Sequence, residues 1–194
     1  YMSIKIGITG GIGSGKSVVS KLLQLMGVPV YIADVESKRL TETDPDIRAA
    51  LISLLGDEVY QDGKLNRPLL ASYIFGNKDN LTMVNRIIHP RIKDDFRRWA
   101  QSHSSYPIVG IEAAILIEAG FTEDVDQVVL VYAPQEIRLR RAVSRDACAA
   151  EQIQQRMRNQ MPDEDKMAFA HHIIYNDDKQ ALIPQLGALI KTLA

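Results

Sequence analysis

Ile4-Lys5-Ile6-Gly7-Ile8-Thr9-Gly10-Gly11-Ile12-Gly13-Ser14-Gly15-Lys16-Ser17 is the stretch that decides the fold. Its last eight residues match G-x-x-x-x-G-K-S/T in full. The run Ile4–Thr9 reads as a short buried strand, and Val18 to Met26 reads as a helix. A strand, a glycine-rich turn and a helix N-terminus make an anion cradle. Backbone N–H groups converge there, and the positive end of the helix dipole adds to them. A flexible glycine turn of no special purpose lacks that flanking context. The pattern puts nucleotide phosphates on Gly11, Ile12, Gly13, Ser14, Gly15, Lys16, Ser17 and Val18. Lys16 reaches the β/γ-phosphates and the Ser17 hydroxyl ligates Mg²⁺.

Working outward, apolar β-branched runs recur at Ile4–Thr9, Val28–Ile32, Ile108–Ile111, Val128–Tyr132 and 172–175, with helical patterns between them. Such spacing predicts an α/β fold with a parallel five-stranded sheet covered by helices on both faces. Ligands of such sheets bind beyond the carboxyl ends of the strands. The gap between the second and third runs is far longer than one crossover needs, so it holds an inserted helical subdomain. Asp44-Pro45 and Arg67-Pro68 open helices there. Leu81, Val84, Ile88, Ile92, Phe96 and Trp99 form an apolar stripe at helical spacing, which Pro90 is expected to kink or restart. The region between the fourth and fifth runs is helical and rich in arginine.

Composition excludes several classes. The 194 residues are 46% hydrophobic with a formal net charge of −1, which suits one globular domain and gives no ground for a nucleic-acid or membrane partner. The one cysteine, Cys148, allows no internal disulfide and fits a reducing, cytoplasmic setting. No apolar run is long enough to span a bilayer. Tyr1 before Met2 reads as a remnant of an added tag. No carboxylate or cysteine stands at ligand spacing from His89 or the pair His171-His172, which argues against zinc. Asn77-Lys78-Asp79-Asn80 is similar to a guanine-reading N-K-x-D, but ends in Asn and precedes a helix, so a GTPase is rejected.

Asp34 directly follows the second strand. A carboxylate there can take a proton from an attacking hydroxyl or hold Mg²⁺ through water; it can equally cap the next helix. Taking about 100° per residue, Arg138, Arg141 and Arg145 fall within about 60° on one helix face, with Arg140 pointing away. That face suits a lid closing on a polyphosphate, or a solvated face paired with Glu136, Asp146 and Glu151. Glu112 lies near the end of the third strand, where it can hold Mg²⁺ through water or be satisfied by lid arginines.

At this point the chain resembles the dephospho-coenzyme A kinase family over nearly its whole length. The residues that carry the resemblance are Gly7 to Ser17, Asp62-Gly63-Lys64-Leu65-Asn66-Arg67 with Leu70-Ala71 and Phe75, Ile88-His89-Pro90, Arg141, Arg145-Asp146, Arg156, Gln160, Lys166, Ala170 and Asn176. The resemblance implies a three-layer P-loop kinase fold in a single domain: a core of 1–34, 107–133 and 170–194, a helical acceptor-binding insertion over 35–106, and a lid over 134–169. It implies ATP- and Mg²⁺-dependent phosphorylation of the ribose 3′-hydroxyl of dephospho-coenzyme A. Asp34 is then the base, Lys16, Arg141 and Arg145 complete the catalytic set, and Thr9, Asp34, Arg67 and His89 bind the acceptor. Departures from the family pattern are Val18 for Thr, Ile32 for the first Asp of I-D-A-D, Ala114 for Pro, Arg138 for Gln and His171 for Asp. Another small-molecule or nucleotide kinase, and an ATP-binding switch, stand as alternatives.

Overall fold

The structure, a computed structural model, describes residues 3–194; the two N-terminal residues, including the Tyr1 read as a tag remnant, lie outside the described residues. The chain divides into two compact units, one carrying the chain up to Ile32 together with Trp99–Ala194, the other residues 33–98.

The first unit is built on a parallel sheet of β1 (Ile4–Thr9), β2 (Val30–Ile32), β5 (Ile108–Glu112), β6 (Gln127–Tyr132) and β7 (His172–Tyr175). Its order is β2-β5-β1-β6-β7, so the strand before the glycine loop is central and the loop leaves from the middle of the sheet. The five expected runs are the five strands, although the second begins at Val30 rather than Val28. Alternation sorts the side chains by face. Ile6, Ile8, Val30, Val129, Val131 and Ile174 meet Val19 and Leu23 of α1 (Lys16–Leu25) and Leu186 and Leu189 of α9 (Leu182–Leu193). On the other face Tyr31 meets Trp99 edge-on, with ring centroids 5.6 Å apart. There Gly7 is needed for space, because a Cβ would lie 2.8 Å from Leu116 Cδ2. Each fully buried aliphatic side chain of this core contributes about 1.5–3 kcal/mol. After β6 come α6 (Gln135–Asp146), α7 (Ala150–Arg158) and α8 (Asp163–Lys166).

The second unit holds α2 (Ala33–Thr43), α3 (Pro45–Leu55), β3 (Tyr60–Gln61), β4 (Lys64–Leu65), α4 (Arg67–Ile74) and most of α5 (Lys78–Ser102). The expected helix starts at Asp44-Pro45 and Arg67-Pro68 are present; Asp44 and Asn66 are the caps. Asn77, first of the rejected guanine-reading residues, accepts from the N–H groups of Asp79 and Asn80 and so opens α5. The insertion is not wholly helical. Asp62 (φ 50°) and Gly63 (φ 79°) turn an antiparallel β3–β4 hairpin, the geometry that Asp-Gly favours.

Two further expectations need correction. Helix α5 runs unbroken through Pro90, with no restart. Pro90 deletes one helical hydrogen bond, but Val84, Ile88, Ile92 and Phe96 are buried on both sides of it and hold the helix together. Leu81, by contrast, is exposed and leaves the stripe.

Asp44 ties α3 to α5. Its Oδ1 accepts from the Asp46 and Ile47 amides at 3.0 Å each, and its Oδ2 from Arg91 Nη2 at 2.8 Å. Burial pushes the Asp44 carboxyl up, and the capped amides and Arg91 more than reverse this, holding it below the usual range. A depressed carboxylate stabilises the fold above its unfolded pKa of about 3.8 and loses that contribution as pH falls through its folded value. Asp44→Ala is expected to cost about 2 kcal/mol, at the top of the range for lost caps because two amides go unmet. Urea unfolding of both proteins at pH 7 checks this; a loss below half that figure would contradict the cap.

Candidate active site

The loop from Gly10 to Ser17 is held by protein groups on both sides. Asn176 Nδ2 donates to the Ser14 carbonyl at 2.8 Å, and the Ile12 N–H donates to Gln160 Oε1 at 3.1 Å. Gly15 stands before α1 at φ 90°, a left-handed value that a β-carbon disfavours. The loop glycines are also pressed against neighbours. A Cβ on Gly11 would strike Arg138 Nη1, one on Gly13 the Arg138 carbonyl, and one on Gly15 the Asn176 amide. Close packing of protein against the loop therefore demands these glycines, whether or not a phosphate is near.

A cleft of about 250 Å³ is lined by Gly13, Gly15, Lys16, Ser17 and Val18 from the loop and α1, and by Ala142, Arg141 and Arg145 from α6. Three cations thus share one concave surface with a helix N-terminus, the arrangement an oligophosphate requires. Gly11, Ile12 and Ser14 do not line it. Gly11 lies against Arg138 and Asp163, Ile12 gives its amide to Gln160, and the Ser14 side chain is buried.

Behind the cleft, Ser17 Oγ donates to Glu112 Oε1 at 3.0 Å. Glu112 is the last residue of β5, in register with Ile8 on one side and Ile32 on the other. Its hydrogen-bond donor is a serine and not an arginine of α6 or α7. Its Oε2 is buried with no hydrogen-bond partner among the described residues. A serine hydroxyl beside a carboxylate with one oxygen to spare fits a hard divalent cation. No group of three or more His, Cys, Asp or Glu that could hold a metal occurs among the described residues, so such a cation would take its other ligands from phosphate and water. Thr9, at the end of β1, is buried and gives its hydroxyl to the Ala114 carbonyl at 3.3 Å.

The arginines separate into different roles. Arg138 is neither surface charge nor part of the cleft. It is 7% exposed, donates from Nε to the Ala133 carbonyl at 3.0 Å, and stands 3.5 Å from Asp163 Oδ2. Arg140 does not point away from Arg141; both reach Asp178, at 2.8 and 2.5 Å. Arg145 turns back onto Asp146 through two hydrogen bonds, at 2.7 and 3.2 Å, and Arg156 joins them at 2.7 Å. Hydrogen bonds from Arg145 and then Arg156 hold the Asp146 carboxyl down at about 2.

Just past α7 lie Asp163, which sequence reasoning missed, and Lys166, which it matched to the family without foreseeing its burial. Asp163 is 1% exposed and Lys166 fully buried. Burial pushes the Asp163 carboxyl up, with Arg138 and Lys166 pulling it back. Lys166 Nζ donates to the same Ala114 carbonyl that Thr9 uses, at 3.0 Å, and lies 3.4 Å from Glu118. Glu118 in turn accepts the Met161 N–H at 3.0 Å. This set ties the 160–166 segment to the segment after β5.

In the second unit Asp34 is exposed and is the second residue of α2, inside the first turn rather than at the cap. Arg67 opens α4 and pairs with Glu42 at 2.9 Å. His89 is partly buried; burial first, and Lys93 second, lower its pKa from 6.5, so the neutral imidazole is favoured.

A five-stranded parallel sheet of this order, with a glycine-rich loop leaving its central strand and Lys16, Arg141 and Arg145 lining one cleft beside it, defines the P-loop kinase fold. Comparison with known proteins narrows the class. The Dephospho-CoA kinase family model matches residues 4–181. The dephospho-CoA kinase of Bacteroides fragilis strain YCH46 is 56% identical over 192 residues, covering 99% of this chain and 94% of its own length. That of Porphyromonas gingivalis strain W83 is 44% identical over 191 residues, covering 98% and 94%. A crystal structure of a Thermus thermophilus protein superposes with a TM-score of 0.86 at 31% identity, over the full length of both chains. The chain belongs to the dephospho-CoA kinase family. It is therefore a phosphotransferase acting on a hydroxyl group.

Proposed function

We propose that this kinase transfers the γ-phosphoryl group of ATP to the 3′-hydroxyl of the adenosine ribose of dephospho-CoA, giving coenzyme A and ADP. The observation that carries the reading is the cleft that gathers Lys16, Ser17, Arg141 and Arg145 at the loop. The acceptor is taken from the names of the relatives. In the reaction the 3′-oxygen forms a bond to the γ-phosphorus, the bond from that phosphorus to the bridging oxygen breaks, and ADP leaves. Phosphorus NMR of the product tests the acceptor atom: a new monoester on the ribose 3′-oxygen is expected, and phosphate at any other position contradicts the proposal.

Lys16 holds the β/γ bridge and spreads the charge that grows there as the bond breaks. Arg141, and Arg145 once it leaves Asp146, neutralise the equatorial oxygens. Asp34 orients the acceptor hydroxyl and takes its proton. Ser17 and Glu112 would hold Mg²⁺, Glu112 through water. When bound, the ion would screen the charge of the phosphates. Residues 35–106 hold the acceptor, with Arg67 and a neutral His89 as contacts, whereas Thr9, buried and bonded to the Ala114 carbonyl, is left to support the strand end; residues 134–169 close as a lid that excludes water. Cys148 is a free thiol and no described helix is long and apolar enough to cross a membrane; we place the enzyme in the cytoplasm.

Glu112→Gln keeps an acceptor for the Ser17 hydroxyl and removes the charge. The Mg²⁺ concentration for half-maximal turnover is expected to rise about ten-fold or more, the cost of a lost outer metal partner. An unchanged Mg²⁺ titration would sink the metal role of Glu112.

A further inference from the structure

Three residues after β7 connect the phosphate loop to the arginine helix. Asn176 donates to the Ser14 carbonyl at 2.8 Å. Asp177 Oδ1 accepts from the Lys179 and Gln180 amides, at 3.0 Å each, and closes the turn. Between them Asp178 sits at φ 63°, a left-handed conformation that is uncommon outside glycine. Its two oxygens are divided: Oδ2 accepts from Arg140 and Oδ1 from Arg141 Nη2. Arg141 lines the phosphate cleft, and its other amino group, Nη1, is buried without a hydrogen-bond partner among the described residues. One end of the guanidinium is thus gripped by Asp178 and the other is left to donate.

We propose that Asp178 is a positioning residue for phosphoryl transfer, gripping Arg141 from one side so that its second amino group is presented to the phosphates. The proposal rests on the role of Arg141 given above. Strained backbone that persists points to function when the fold itself gains little from it. The Asp178 side chain is 51% exposed, Arg140 70% and Arg141 26%, and a pair with a carboxylate this exposed adds little to stability. What the carboxylate fixes is geometry. A guanidinium on a flexible stem loses few conformers on meeting phosphate if it is already held in place.

Asp178→Gly removes the carboxylate and suits the left-handed backbone. It is expected to melt at or above the temperature of the unaltered protein, while kcat falls about ten-fold and KM for ATP changes less than about two-fold, within the range of coupling between residues in contact. In an Arg141→Ala background the same change is expected to alter kcat by less than about two-fold. Equal losses in both backgrounds would show that Asp178 does not act through Arg141. Full kcat, or a lowered KM for ATP that marks Asp178 as a competitor of phosphate, would also overturn the proposal. Arg141→Ala alone reads the underlying role: undiminished kcat removes it. A large loss there beside an active Asp178→Gly removes only the inference about Asp178.

Discussion

Lys16→Ala is expected to lower kcat by about 10²–10³ while leaving the protein folded, the loss seen when one preorganised charge partner of a transition state is removed. Lys16 opens α1 and lines the cleft with Arg141 and Arg145. The arginines can share the charge of the equatorial oxygens. In the proposed mechanism no other side chain is assigned to the β/γ bridge, where charge collects as the phosphoryl group departs. Asp34→Asn is expected to be no more damaging. A loose transition state asks for little early proton removal, so positioning and electrostatics outweigh general-base catalysis. Steady-state rates with both substrates saturating, and circular dichroism to confirm folding, decide the ranking. Asp34→Asn far below Lys16→Ala would point to a tighter transition state in which the proton leaves early. Full turnover in Asp34→Asn would remove its role as base and orienter.

Gly13→Ala is expected to be nearly as costly to activity, for a different reason. Gly13 sits at φ 79°, where an L side chain costs about 1–2 kcal/mol. The added Cβ would also strike the backbone carbonyl of Arg138. Backbone cannot swing aside as a flexible side chain can, so the loop must lift from α6. That movement widens the gap between Lys16 and Arg141, which share the cleft. Misplacement by about 1 Å costs on the order of 10² in rate, and the same fall in kcat is expected, with a lowered melting temperature. A variant with unchanged melting and kcat would show that the loop does not depend on this close approach.

The parts of this site legible in the sequence were those written locally. Ile4 to Ser17 carries strand, turn, helix start and chemistry in one unbroken run, and the cleft does contain Lys16, Ser17, Arg141 and Arg145. Glu112 could be singled out because it ends a strand, yet its bond to Ser17 joins residues 95 apart and follows from sheet order rather than from any pattern. The Asp62-Gly63 turn was readable as a hairpin signal in its own right, and read only as part of a family motif it was overlooked. Pro90 does not restart the helix, because the burial of Val84, Ile88, Ile92 and Phe96 around it holds the two halves in one run. Asp163 went unread, and the burial of Arg138 and Lys166 was not foreseen, because charged residues in short or mixed segments read as solvated. Their burial is set by what the fold lays over them. Asp178 escaped for the same reason, since nothing in Asn176-Asp177-Asp178 announces which arginines it will meet.

The most direct test of the proposed function is a coupled ADP-release assay with dephospho-CoA beside a panel of other acceptors: nucleoside monophosphates, shikimate and sugars. The expected result is ATP turnover that depends on dephospho-CoA, with the other acceptors at the background rate. Turnover driven by a nucleoside monophosphate or another small acceptor while dephospho-CoA stays at background would contradict it, as would tight ATP binding without transfer to any acceptor.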